Sequence, residues 1–382
     1  MHQNRIFNSQ HLNRMVFACI VILTTISVSC SPDPVTSEIQ PVKLTKYETI
    51  VAYEDNTLAT PTILKYDGHS YLYVYDYGIG HVLKLDKSGN IVKKIGQEGR
   101  GPGEFIHLSN MVLLNDYLFL VDYAQFYIHK FGINGEYHAS LDYGALGYFF
   151  ELPPMNPSLI RAPDPTGDPY IHSADKVMFS TLNGDDDSFH SIYEFRDWEG
   201  SHVAYLGKIP EGAAFTMDQS EYRNSITDRE VPAIEKTNVF PINDQRYNDE
   251  LFLIYSSLPK IMKYNSSGEK LWKKEVPHLP EIDSVAAGIY KNLENLRPGL
   301  RMKLNKYLAG TSTPNGGLYL AINSHPENIN SLWIHRFNKN GELTGRFNIE
   351  SETTIPPIFD VDHENQRVFV ITEEGEIRAY SF

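Results

Sequence analysis

Cysteine is nearly absent from this 382-residue chain, which holds only Cys19 and Cys30. Nothing after residue 30 can form a disulfide or supply a thiolate nucleophile. Positive charge is also in deficit. The formal net charge is −14, which repels phosphate backbones and excludes nucleic acid as an expected partner. Long apolar runs are missing. The longest, Met15–Val28, has 14 residues, fewer than the ~20 a membrane-spanning helix needs. Two hydrolase signatures are absent as well. His363-Glu364 continues as Asn-Gln-Arg and so lacks the second histidine of a zinc-protease helix, and no Gly-x-Ser-x-Gly elbow occurs. With 41% hydrophobic and 21% charged residues, there is still ample material for a folded core, which excludes a disordered chain.

The N-terminus reads as an address. Arg5 and Arg14 precede the apolar run, and no acidic residue occurs before Asp33. This is the layout of an export signal. The run ends at Ser27-Val28-Ser29-Cys30. That segment resembles a bacterial lipobox, with Ser27 where leucine is commonest. The resemblance implies a signal peptide over 1–29, a lipidated Cys30 as first mature residue, and a membrane partner engaged through the lipid. Each buried methylene of such an anchor contributes about 0.8 kcal/mol. Residues 30–41 then form a polar, proline-rich tether, of which the eleven residues Ser31–Pro41 reach at most ~36 Å. The expected location is the cell envelope, as an outer-membrane lipoprotein facing the periplasm or the surface.

The rest of the chain repeats itself. A strongly apolar strand recurs at Tyr71, Tyr117, Lys176, Glu250, Gly317 and Arg367, and a second strand follows each copy, as in His81–Asp86 and Tyr127–Gly132. Five copies then turn through a polar pair containing glycine, such as Ser88-Gly89 and Asn134-Gly135. Glycine supplies the positive φ that tight hairpins need. A third strand follows the turn, and an apolar segment precedes each copy. Four-stranded antiparallel units repeated six times predict an all-β, six-bladed β-propeller over residues 42–382. The last copy lacks its outer strand, and the segment Val42–Tyr53 is expected to supply it, closing the ring and removing an exposed edge. Three insertions, at 145–169, 210–237 and 277–306, all fall between the last strand of one blade and the first of the next. The loops between second and third strands open on the same side, so the insertions mark one face as the binding face. In the third insertion, Val285, Ile289, Leu293 and Leu296 have helical spacing after a Ser284 cap and before Pro298.

The segment Gly96-Gln-Glu-Gly-Arg-Gly-Pro-Gly-Glu-Phe105, followed by a strand and by Leu118-Phe-Leu-Val-Asp122, resembles the NHL/TolB-like six-bladed propeller lipoproteins of Bacteroides-type bacteria. Blades 3 to 6 depart from that pattern. The resemblance implies fold and compartment rather than an activity. Lactonase-type six-bladed propellers hold a channel metal with Glu, Asn and Asp of inner strands. The equivalent positions here offer only Asn110, Asn238, Asp360 and Asp362, a sparse ring without glutamate, so neither a metal nor a cofactor is expected.

On the insertion-bearing face the candidate ligand-binding residues are Tyr77, His81, Arg100, Glu104, Tyr123 and His325. Asp76 and Asp122, each preceding one of the tyrosines, read as turn caps. The Gly99–Gly103 run reads as a turn between blades, because no helix follows it to cradle a phosphate. Asn183–Ser188 reads as a solvated hairpin tip, since the distal glutamate of a calcium loop is missing. The leading expectation is a non-enzymatic module binding a glycan, a peptide or an envelope protein. A metal-dependent hydrolase or lactonase at the channel, and a structural subunit of an envelope complex, are the alternatives.

Overall fold

A computed structural model describes residues 39–55, 57–114, 116–145, 170–173, 176–180, 191–214, 218–243, 250–294, 303–313, 317–322 and 330–382. The expected signal peptide, Cys30, most of the expected tether and of the first insertion, the 183–188 tip and His325 lie outside them.

The repeated strands build six sheets. Blade 1 runs Pro61–Tyr66, Leu72–Asp76, His81–Leu85 and Ile91–Ile95 from the inside outwards, and blade 2 runs Leu108–Leu114, Tyr117–Asp122, Tyr127–Gly132 and Tyr137–Asp142. Blade 3 comprises Tyr170–Ser173, Lys176–Ser180, Ser191–Asp197 and His202–Lys208, and blade 4 Val239–Asn243, Glu250–Tyr255, Lys260–Asn265 and Lys270–Glu275. Blade 5 contains Tyr307–Ser312, Leu318–Ile322, Ser331–Phe337 and Leu343–Glu350, and blade 6 Phe359–Asp362, Arg367–Ile371 and Ile377–Ser381. The fold is the six-bladed β-propeller.

The second strand of each blade explains why the repeat is so visible. In blades 1, 2, 4, 5 and 6 it is buried on both faces, so its alternating residues enter two different cores. Leu118 and Leu120 pack between blades 1 and 2, whereas Phe119 and Val121 pack on the opposite side of the same strand. Tyr73 and Tyr75 face blade 2 while Leu72 and Val74 face blade 6. The core is therefore a set of apolar layers between neighbouring blades. Outer strands need no such pattern, and Ile91–Ile95 is exposed except at its last residue. The hairpin glycines adopt the expected left-handed conformation, with φ of +81° at Gly89 and +85° at Gly135.

The N-terminal segment closes the ring, but as two strands rather than one. Tyr47–Val51 pairs antiparallel with Ile377–Ser381 as the fourth strand of blade 6. Val42–Leu44 instead pairs parallel with Phe347–Ile349 and adds a fifth strand to blade 5. The chain thus covers two adjacent sheet edges before the first complete blade begins.

Two helices fill the insertions. Among the described residues these lie in the second and third insertions. Helix α1, Gln219–Thr227, is capped by Asp218, whose Oδ1 accepts from Ser220 N at 2.8 Å and Glu221 N at 2.9 Å. Helix α2, Pro280–Glu294, starts four residues before the Ser284 cap read from the sequence. Pro280 suits the first turn, and Glu281 and Asp283 complement the helix dipole there. Both helices pack into the core between blades 4 and 5. A buried polar knot pins α2 to blade 5. Arg346 donates to both Glu281 oxygens at 2.8 and 2.5 Å, and His335 Nε2 donates to Glu281 Oε1 at 2.7 Å. Burial pushes the His335 pKa down, which keeps the ring neutral with its proton on Nε2, so Nδ1 accepts from the Tyr307 hydroxyl at 2.9 Å.

Candidate functional site

On the insertion-bearing face, blades 1 and 2 each carry a carboxylate staple. Asp122 is completely buried. Its oxygens accept from Ile106 N at 2.8 Å and His107 N at 3.2 Å in the link entering blade 2, and from Ala124 N at 2.9 Å and Gln125 Nε2 at 2.8 Å in its own turn. Asp76 does the same in blade 1, accepting from Ala59 N at 2.6 Å, Thr60 N at 2.9 Å and Ile79 N at 3.1 Å. The sequence suggested turn caps. The structure adds that each carboxylate also ties the incoming link to the turn.

The staples fix the next residue of each turn. Tyr77 N donates to Thr60 O at 2.9 Å, and Tyr123 N donates to His107 O at 3.1 Å. Both tyrosines are thereby held over the rim, and His107 lies between them. Ring centroids are 5.0 Å apart for Tyr77 and His107 and 5.8 Å for His107 and Tyr123, the second pair stacked at 26°. Tyr77 is 45% exposed. The three rings form one continuous aromatic strip across the junction of blades 1 and 2. The His107 Nδ1 atom is buried without a hydrogen-bond partner.

Tyr77 and Tyr123 were read from the sequence, and the structure brings them together. His107 was missed. Its signal was positional: superposing the repeats sets Ile106-His107 against Ala59-Thr60, the two pairs that the aspartates bind. Arg100 is exposed on the adjoining Gly99–Gly103 loop. Gln125 Nε2 donates to Gly99 O at 3.0 Å, so that loop is tied to the Tyr123 turn.

His81 and Glu104 have local duties. His81 Nδ1 contacts Gly96 O at 2.6 Å. Glu104 accepts from Gln97 Nε2 at 2.6 Å and Gly101 N at 2.7 Å, and these bonds hold its carboxyl below the usual range. Gln97–Glu98 pairs parallel with Glu104–Phe105, closing the glycine-rich segment as a structural turn between blades.

The four inner-strand polar residues each have their own partners. Asn110 Oδ1 accepts from Met111 N at 2.8 Å, and Asn238 donates to Glu235 and to Ser257 Oγ. Asp360 and Asp362 lie on blade 6. Among the described residues, no three His, Cys, Asp or Glu side chains come together as a metal site. No helix of those residues is long and apolar enough to cross a membrane.

A family model described as a 6-bladed beta-propeller matches residues 45–153, which span blade 1, blade 2 and the strand that closes the ring. Among curated proteins, none matches. An exported protein of Bacteroides fragilis is similar in structure, with 12% identity and a TM-score of 0.49, covering 89% of this chain and 99% of its own. A Bacteroides vulgatus protein of the duf4221 family shows 11% identity and a TM-score of 0.45, over 90% of this chain and 98% of its own. A gluconolactonase of Xanthomonas campestris shows 10% identity and a TM-score of 0.44, over 90% and 95% of the two chains. The family match and the six sheets agree on a six-bladed β-propeller.

Proposed function

We propose that this chain is a membrane-tethered binding module of the cell envelope whose insertion-bearing face holds a glycan. The observation that carries this reading is the strip formed by Tyr77, His107 and Tyr123. Pyranose rings present a flat row of C–H bonds, and aromatic faces with a polar tip bind such surfaces with large contact at low entropic cost. Two of the three rings sit on turns locked by buried aspartates, so little ordering remains to be done on binding. Arg100, exposed on the adjoining loop, supplies hydrogen-bond donors for ring hydroxyls or an acidic sugar. Cys30 would carry the lipid that anchors the module to the membrane.

The test is a glycan array probed with the full chain in detergent, wild type beside Tyr77→Ala and Tyr123→Ala. Binding to a defined glycan class that falls at least ~10-fold in either variant, or about 1.4 kcal/mol, is expected. Recognition of peptides alone, or glycan binding indifferent to both tyrosines, would overturn the reading.

A further inference from the structure

The opposite mouth of the propeller carries a second feature that the glycan reading does not use. Here the loops between first and second strands emerge, at the other end of each sheet from the insertions. A small cavity lies among the inner strands of blades 5, 6 and 1, lined by Tyr66, Thr313, Asp360, Asp362 and His363 among others. It offers about 40 Å³ to water-sized groups, room for about three heavy atoms.

The lining is polar in an uncompensated way. The buried Tyr66 hydroxyl faces the Asp362 carboxylate, and the Thr313 Oγ1 is buried with no hydrogen-bond partner among the described residues, on a side chain 5% exposed. Such atoms normally find partners, because leaving one unmet costs ~1–3 kcal/mol. Asp360 and Asp362 are 2% and 4% exposed, and neither has an ion-pair partner among the described residues. The two differ in what they have left to give. Asp360 is fully engaged, accepting from Tyr66 N at 2.8 Å, Thr311 Oγ1 at 2.7 Å and Val361 N at 2.9 Å. Asp362 accepts from Asn365, at 3.1 Å to N and 2.7 Å to Nδ2, and faces the Tyr66 hydroxyl, so its two oxygens still keep an open acceptor site. Burial and the Asp362 carboxylate hold the Tyr66 phenol above its ordinary range, so it stays neutral. His363 is held down by burial and then by Arg336, and is neutral too.

We propose that this cavity binds a primary ammonium group. An ammonium presents three N–H donors and one positive charge. The cavity answers with the Asp362 carboxylate, which has spare lone pairs, with the unclaimed Thr313 hydroxyl, and with the Tyr66 oxygen, which can still accept while its proton faces Asp362. A divalent metal fits less well, since three anionic or imidazole ligands do not converge there. The cavity accepts the ammonium and about two carbons, as at the end of a lysine side chain or at the amino-bearing carbon of an amino sugar.

Ethylammonium is the direct probe, titrated into the full chain in detergent at constant ionic strength, with thermal melting as the readout. A saturable rise in melting temperature is expected, absent with tetramethylammonium, which has no N–H donor, and absent with sodium. Asp362→Asn should weaken the response at least tenfold, and Thr313→Val several-fold. Nα-acetyl-lysine methylamide and glucosamine, titrated separately, distinguish a peptide source from a sugar source. The idea fails if ethylammonium gives no saturable shift, if tetramethylammonium or calcium matches it, or if both variants respond like wild type. Tyr77→Ala should leave the ethylammonium response intact, which separates this site from the glycan face.

Discussion

Replacing Asp122 by alanine tests how the insertion-bearing face is built. The carboxylate is fully buried and ties the link at Ile106 and His107 to the Tyr123 turn. The turn amides of Ala124 and Gln125 can find water once the carboxylate is gone. The two link amides lie under the rim, and each unmet donor costs ~1–3 kcal/mol, so a loss of about 4 kcal/mol is expected. Unfolding entropy is about 2.1 cal/mol/K per residue. Over the unit Gln40–Phe382 that amounts to ~0.7 kcal/mol/K, so the melting temperature should fall by about 5–6 °C. Asp122→Asn keeps one acceptor oxygen and should lose less than half as much. Differential scanning calorimetry of wild type and both variants measures this. A shift below about 1 °C for Asp122→Ala, or equal shifts for the two, would refute the staple.

Other predictions follow from the same contacts. Burial pushes the Glu281 carboxyl up, but hydrogen bonds from His335 and Arg346 outweigh it and hold the pKa down to about 2 from 4.5, while burial lowers His335 below 6.5. In both cases the unfolded chain binds protons more readily than the folded one. Stability should therefore fall as pH drops below about 6.5 and fall further from about 4.5 towards 2; in a melting series against pH, Glu281→Gln should remove the lower of these losses, and an unchanged slope would contradict the knot. Deleting residues 42–51 removes both edge-covering strands, so the shortened protein should aggregate by exposing Ile377–Ser381; a monomeric product in light scattering would count against ring closure. Cys30→Ser should move the protein from the membrane to the soluble fraction on cell fractionation, and continued membrane association would exclude the lipid anchor.

Blades 1, 2, 4, 5 and 6 were legible because their second strands are buried on both faces, and the hairpins need glycine at fixed places. The face was legible because insertions cannot be accommodated inside a propeller and collect between blades. What escaped the sequence depended on packing. Val42–Tyr53 has the pattern of one strand, yet its first residues find the edge of blade 5 and its later ones the edge of blade 6. Helix α1 escaped because its short apolar stripe of Tyr222 and Ile226 gave little period to read. Helix α2 began early because Pro280 and the acidic first turn outweighed the Ser284 cap. His107 became part of the strip only through the Asp122 staple. The cavity at the other mouth joins Tyr66 to Asp362 across 296 positions of sequence, a pairing that only closure of the ring creates.

The most direct test of the glycan-binding claim is saturation-transfer NMR on a glycan identified by the array, with the full chain as receptor. The account predicts that C–H protons along one face of a single sugar ring receive most of the saturation, and that Tyr77→Ala combined with Tyr123→Ala abolishes the pattern. Uniform saturation around the ring, or a pattern unchanged in the double variant, would contradict it.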